Sequence, residues 1–199
     1  MRLLIATTSY GKLLEWRTLL SGLPFELVTL RYVGITFDVD ETGDTFRANA
    51  LLKAEAYGRA SGLLTLAEDA GLMVAALGGA PGVHSARWEG TDYRHKNALL
   101  IRLLEDKVGA ARACRYVSVT ALRHPDGRIW FARGEVRGQI ARAPAGISGF
   151  GFDPIFYIPR LGRTLAQIAV DEKDRISHRG RAARRIRVIL GQLVVASAA

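Results

Sequence analysis

Sulfur chemistry is almost missing from this 199-residue sequence, in which Cys114 is the single cysteine. One thiol excludes an intramolecular disulfide, a cysteine-cluster zinc site and a CxxC redox pair, and it suits a reducing compartment. Histidine is scarce too. Its four copies show no HxH or HExxH spacing, so a histidine-built zinc centre has no motif behind it. Long apolar runs are absent: the N-terminal MRLLIATTSYGK is too short in apolar residues for a signal-peptide core, and nothing approaches the roughly 20 residues of a membrane span. No repeat, low-complexity tract or linker interrupts the chain. Together these gaps predict a soluble, cytoplasmic protein without a membrane partner.

Acidic residues are the other deficit, 19 against 28 Lys and Arg, for a net charge of +9. Such a balance asks for an anionic partner. Much of it is local. Between residues 159 and 187 stand Arg160, Arg163, Lys173, Arg175, Arg179, Arg181, Arg184, Arg185 and Arg187, against Asp171, Glu172 and Asp174 alone. A nucleic-acid backbone, a phosphorylated small molecule or plain solubility would each account for that stretch. The 49% apolar content is spread along the whole chain, enough for a domain that buries roughly 70% of its unfolded surface. The expectation is one domain over residues 1–194, with two lobes, and a frayed tail at 195–199.

The pattern of elements is α/β. Leu3–Thr7 reads as a buried strand, Lys12 to about Leu20 as a helix ended by Gly22-Leu23-Pro24, and Phe25–Leu30 as a second strand. Asp44 or Thr45 would cap a helix that reaches Ala60 and stops at Gly62. Leu63–Glu68 and Leu72–Ala76 read as two strands on either side of Asp69-Ala70-Gly71, and Thr91–Lys107 as an amphipathic helix. Arg115–Leu122 and Arg128–Val136 flank Pro125-Asp126-Gly127, a hairpin signature. Gln139–Arg142 would add a strand, and a helix from His178 to Leu190 would close the chain.

Five polar islands fall at strand ends or in Gly-rich turns, where ligands bind in open α/β sheets. Thr7-Thr8-Ser9-Tyr10-Gly11-Lys12 leads from strand to helix and offers hydroxyls, backbone N–H groups and a lysine to phosphate. It also reads as an ordinary capped βα turn, and it is not a P-loop, since Ala6 and Leu13 replace the required Gly and Ser or Thr. Glu41-Thr42-Gly43 precedes Asn49 and Lys53, which share a helix face at i, i+4; a solvated surface gives the same pattern. Glu68-Asp69 is a pair of carboxylates at a strand end, suited to Mg²⁺ and to orienting a water. Gly149-Phe150-Gly151-Phe152-Asp153-Pro154 places an aromatic among glycines, fit either to stack on a heterocycle or to turn tightly over a core. The fifth island, Glu172-Lys173 with Ser177-His178-Arg179, can bind phosphate and donate to carbonyl oxygens, or simply begin a basic helix.

Taken in order, these islands resemble the inosine triphosphate pyrophosphatase family. The resemblance runs from Leu3 to about Leu190 through ATTSYGKLLE, ETGDTFRANALLKA, LAEDAGLMVAALGGAPGVHSARW, GFGFDPIF and EKDRISHRGRA. It implies an elongated, two-lobed α/β fold around a long mixed twisted β-sheet with flanking helices and a central nucleotide cleft. It further implies a homodimer that uses Mg²⁺, or Mn²⁺ as a substitute, to cleave non-standard purine nucleoside triphosphates to monophosphate and pyrophosphate. By position, Asp69 would be the catalytic carboxylate and a metal ligand, with Glu41 and Glu68 as the other metal carboxylates. Thr7, Thr8, Ser9, Tyr10, Gly11, Lys12, Lys53 and Ala70 would bind the triphosphate side, and Phe150, Gly151, Phe152, Asp153, Lys173, His178 and Arg179 would line the nucleotide pocket. Of these, His178 or Arg179 would donate to the O6 carbonyl of hypoxanthine or xanthine, where adenine presents an amino group. The sequence departs from the family pattern at Ser9, usually Asn, at Glu68, usually Asp, at Ala70, usually Ser, and at Phe152, usually Tyr.

A nucleic-acid-binding module built on the basic C-terminal helix is the reading from another class. No motif of that kind accompanies it, and Glu41, Glu68 and Asp69 would repel a phosphate backbone in the absence of metal.

Overall fold

The computed structural model describes residues 1–198. Among them lie seven strands in one open, mixed sheet of order β2-β1-β3-β4-β5-β6-β7, with five α-helices. The expected α/β class with a mixed sheet is what forms. The chain divides into two compact units, with residues 1–69, 118–134 and those from 179 onward in the first, and 70–117 and 135–178 in the second.

In the first unit, the apolar run Arg2–Ala6 is β1, and it pairs in parallel with both β2, Glu26–Thr29, and β3, Leu64–Val74. Helix α1, Tyr10–Leu19, starts at Ser9, whose hydroxyl accepts from the Lys12 N–H. Helix α2, Phe46–Ser61, starts at Thr45 in the same way and ends at Gly62, whose φ of 65° is a left-handed conformation that glycine adopts without steric cost. Helix α5, His178–Ala198, buries Ala182, Ala183, Ile186, Leu190 and Leu193 on one stripe. These pack with Leu3, Ile5, Trp16, Leu20, Leu64 and Leu66 into the unit's core. The tail expected to fray is helical from Val195 to Ala198, and Ala199 lies outside the described residues.

The second unit has its own core of Leu72, Val74, Leu100, Tyr116, Val136, Ile140, Phe152, Phe156 and their neighbours. Helix α3, Tyr93–Leu103, is capped by the Asp92 carboxylate and is shorter than the Thr91–Lys107 span expected. The short strands β6, Phe156–Ile158, and β7, Arg163–Thr164, extend the sheet antiparallel from β5, and α4, Val170–Ile176, follows.

Strands β4, Ala113–Arg123, and β5, Ile129–Ile140, are joined at the Pro125-Asp126-Gly127 turn as expected, closed by a 2.9 Å bond from the His124 N–H to the Arg128 carbonyl. Two expectations are corrected here. Gln139–Arg142 is not a separate strand, because β5 runs through Ile140. Leu63–Glu68 and Leu72–Ala76 are not two strands either: β3 is continuous for 11 residues, straight through Asp69-Ala70-Gly71. Those three residues have turn chemistry, but ladder pairing within the sheet outweighs local preference.

Candidate active site

Register sets the site in the first unit. Ala6, the last residue of β1, sits opposite Ala67 of β3, so Glu68 and Asp69 are the first β3 residues past the end of that strand. The segment leaving β1 there is Thr7–Lys12. Its Thr7 hydroxyl accepts the Ser9 N–H at 3.2 Å and the Ser9 hydroxyl accepts the Lys12 N–H at 3.4 Å. Thr8 and Tyr10 are exposed, while Gly11 and Lys12 are half-buried at the start of α1. Hydroxyls and N–H groups at a helix start, with a lysine beside them, are the groups from which an anion-binding loop can be built.

Glu68 and Asp69 do not act as one pair. In an unbroken strand, successive side chains go to opposite faces. Glu68 continues the row of Leu64 and Leu66 on the face covered by α1 and α5, and is 4% exposed. It accepts from Ser118 Oγ at 2.5 Å, from Trp16 Nε1 at 3.4 Å, and from Arg179 Nε at 3.1 and 3.0 Å on its two oxygens. Lys12 Nζ is 3.9 Å from Oε2.

Asp69 turns toward α2. Asn49 Nδ2 donates to its Oδ2 at 3.2 Å, and Lys53 Nζ is 3.7 Å from Oδ1. Lys53 also donates to Glu41, and Asn49 Oδ1 accepts the Gly43 N–H at 2.7 Å, which pins the Glu41 loop to the helix. The shared face expected for Asn49 and Lys53 is therefore used, and it points at Asp69. Among the described residues no three His, Cys, Asp or Glu side chains converge as a metal cluster, so the trio Glu41, Glu68 and Asp69 is not assembled.

Electrostatics follow from burial. Burial pushes the Asp69 carboxyl above its ordinary range; Lys53 and Lys12 pull it back, and Glu41 adds to the rise. Lys12 is held below the usual lysine range, mainly by burial, which its attraction to Glu68 does not cancel and the nearby Lys53 and Arg179 charges reinforce. Burial also works against the charge on Arg179, but Glu68 and Glu15 outweigh it and hold the guanidinium above its ordinary value. Cys114 is buried, with its thiol pushed far up by desolvation, which removes it as a nucleophile.

The second unit holds the other predicted residues. Gly149 has φ +74°, and a Cβ there would run into Asp153 Oδ2, so only glycine fits beside that carboxylate. Asp153 accepts the Phe150 N–H at 2.9 Å and pairs with Lys173 Nζ at 2.5 Å, both side chains buried. Lys173 Nζ also lies 5.4 Å from the centre of the half-buried Phe150 ring. The Gly151 carbonyl accepts Asn97 Nδ2 at 3.2 Å, and the Phe152 N–H donates to the Tyr116 hydroxyl at 3.1 Å. His178, 3% exposed, stacks on Tyr116 with ring centres 4.4 Å apart.

Burial and hydrogen bonding set the surroundings of three further predicted residues. Phe152 is 1% exposed and belongs to the core, so it supports the loop rather than lining a pocket. Ala70 is half-buried, and a contact it makes to a ligand has to come from its backbone. Arg179 is drawn to other partners than His178 is: its Nε is engaged by Glu68 and its Nη1 by Glu15. Sequence reasoning misses Trp16, Ser118, Glu15, Asn97 and Tyr116. Trp16 falls on the apolar stripe of α1 with Leu13, Leu19 and Leu20, which conceals its N–H, and the others carry no motif.

A model of the Ham1 family matches residues 3–189. The protein named dITP/XTP pyrophosphatase from Symbiobacterium thermophilum is 51% identical over 182 residues, covering 91% of this chain and 90% of that one. A counterpart of the same name from Thermus thermophilus is 44% identical over 186 residues, covering 92% of this chain and 89% of the relative. The solved structure of the Staphylococcus aureus Ham1 protein superposes with a TM-score of 0.86 at 34% identity, over 96% of this chain and 99% of that one. With the phosphate-type loop, the Asp69 cluster and the Asp153–Lys173 loop all inside the matched span, this chain belongs to the Ham1 family.

Proposed function

We propose that this protein hydrolyses non-standard purine nucleoside triphosphates, ITP, dITP, XTP and dXTP, to the monophosphate and pyrophosphate. The observation that carries the reading is Asp69, held by Asn49 and Lys53 beside Glu41, just past the β1 terminus where the Thr7–Lys12 loop begins. Relatives named dITP/XTP pyrophosphatase at 51% and 44% identity support it.

Glu41 and Asp69 both approach the ammonium of Lys53, so two carboxylates already converge on one cation. Their donors are oxygens alone, the type that suits Mg²⁺, with Mn²⁺ as substitute. When bound there, Mg²⁺ would neutralise phosphate charge and activate water. The chain's own part is positioning and charge. Asp69 orients the attacking water and takes its proton. Lys12 and the N–H groups opening α1 hold the phosphate oxygens, and a triphosphate beside Lys12 restores the charge that burial disfavours.

Phe150, Asp153, Lys173 and His178 of the second unit are proposed for the base and its flank, with the imidazole donating to O6. Arg179 is not given that role, since Glu68 and Glu15 hold it. The nucleic-acid reading weakens because the basic stretch is largely committed. Arg187 donates to the Leu19 and Ser21 carbonyls at the end of α1, Lys173 and Arg179 are in buried ion pairs, and Arg163 and Arg175 pair with Glu172 and Asp171. The protein is further proposed to be a cytoplasmic homodimer; a sedimentation mass of 21.7 kDa at micromolar concentration would exclude the dimer.

Pyrophosphate release from ITP, XTP, dITP, ATP, GTP and dTTP tests the activity directly. Turnover is expected for the first three with Mg²⁺ and its loss in excess chelator; equal rates on ATP would overturn the substrate class. Asp69→Asn is expected to lower kcat by about 10²–10⁴-fold while the thermal midpoint stays near wild type, because burial already disfavours the charge. Near wild-type turnover by the folded variant would remove Asp69 from the chemistry. Arg179→Ala is expected to cost about 3–5 kcal/mol of stability by leaving Glu68 buried without its guanidinium, and to lower ITP and ATP turnover together. A selective fall in the ITP-to-ATP ratio would return base reading to Arg179.

A further inference from the structure

Glu68 stands where two adjacent acids read most simply as a metal-binding pair, yet its surroundings give it other work. Its side chain is 1% exposed, at the end of the apolar row Leu64–Leu66. A carboxylate has about four lone-pair positions. On one oxygen they meet Ser118 Oγ at 2.5 Å and Arg179 Nε at 3.1 Å; on the other, Arg179 Nε at 3.0 Å and Trp16 Nε1 at 3.4 Å. The donors come from β4, α5 and α1. One carboxylate thus ties the opening of α5 and the body of α1 to the middle of β3.

We propose that Glu68 is a positioning residue and not a metal ligand, and that Trp16 and Ser118 are the donors that lock it. Trp16 lies one helical turn after Lys12 on α1, so a bond at Trp16 fixes the rotation and height of the helix start. Glu68 lies 3.9 Å from Lys12 Nζ, and the same carboxylate fixes Arg179. The pair therefore sets where the cations nearest the Thr7–Lys12 loop are held. Ser118 is fully buried and spends its hydroxyl on Glu68. The extra methylene of Glu over Asp supplies the reach needed to lie between an indole, a hydroxyl and a guanidinium. This inference rests on the proposed phosphate and metal roles of Lys12, Glu41 and Asp69.

Two measurements separate the inference from the reading beneath it. The first is Mn²⁺ binding to the nucleotide-free protein, followed by electron paramagnetic resonance. Asp69→Asn and Glu41→Gln are expected to weaken it about tenfold or more, since each removes an anionic oxygen ligand, and Glu68→Gln by less than about twofold, since that carboxylate is taken up by Ser118, Trp16 and Arg179. If Glu68→Gln weakens Mn²⁺ as Asp69→Asn does, the inference fails and the metal reading stands. If only Glu68→Gln leaves Mn²⁺ unchanged, both stand. If none of the three changes it, the metal reading fails while the exclusion of Glu68 as a ligand survives.

The second measurement is steady-state kinetics of Trp16→Phe and Ser118→Ala, which remove one donor each and keep most of the packing. Each is expected to lower kcat about 5- to 50-fold with KM changed by less than about threefold. Misplaced cations still attract a flexible triphosphate but no longer hold it in the reactive geometry. A purely structural role would lower the thermal midpoint and leave kcat of the folded protein intact. Wild-type kcat in both variants, with melting well above the assay temperature, would overturn the anchoring role whatever the Mn²⁺ result.

Discussion

A carboxylate with 1% of its side chain exposed costs several kcal/mol to take out of water, and Glu68 offsets that cost only by gathering donors from three elements. Arg179 meets it on both oxygens, and Ser118 and Trp16 complete the shell. Such a pair is a poor source of net stability, since well-packed apolar groups would do as well. What it provides is geometry. The middle of β3, the first turn of α5 and the body of α1 meet at one atom group, and none can shift without leaving a charge buried and unpaired. Glu15 extends the arrangement by holding the guanidinium from α1.

Asp69, the next residue, is held by other partners. Strand alternation sends it to the other face, where Asn49, Lys53 and Glu41 form a separate polar cluster anchored on α2. The division of labour between two neighbouring acids follows from one fact, that β3 does not break at residues 69–71. Had the chain turned there, both side chains could have faced the same cation. The continuous strand turns one acid to Arg179, Ser118 and Trp16 and the other to Asn49 and Lys53.

The surplus positive charge has a comparable double use. Arg187 caps the exposed carbonyls at the end of α1, and Arg185 reaches the Arg133 carbonyl, so part of a segment that reads as an anion-binding surface is internal wiring. Lys173 shows the same economy in the second unit: paired with Asp153 and set over the Phe150 ring, it organises a loop whose Gly149 admits no larger residue. Sequence counts charges; only the packed chain shows which are already engaged.

Local physics wrote much of the fold into the sequence. Ser9 and Thr45 cap helices with their own hydroxyls, Gly62 ends α2 in a conformation open to glycine, and Pro125-Asp126-Gly127 turns the hairpin, all within a few residues of where composition places them. The polar islands are legible for the same reason: the Thr7–Lys12 turn and the Glu68-Asp69 pair are each contiguous in the chain, and the order of the islands matches a family. Tertiary structure decided what depends on partners distant in sequence. Trp16 and Ser118 lie 52 and 50 residues from Glu68, and Arg179 lies 111 away, so no local pattern could pair them. Nor could local preference show that ladder bonds would carry β3 through Asp69-Ala70-Gly71, the event that separates Glu68 from Asp69. Short-range hydrogen bonding is encoded residue by residue, whereas the direction a buried charge faces is fixed only when the whole core has closed around it.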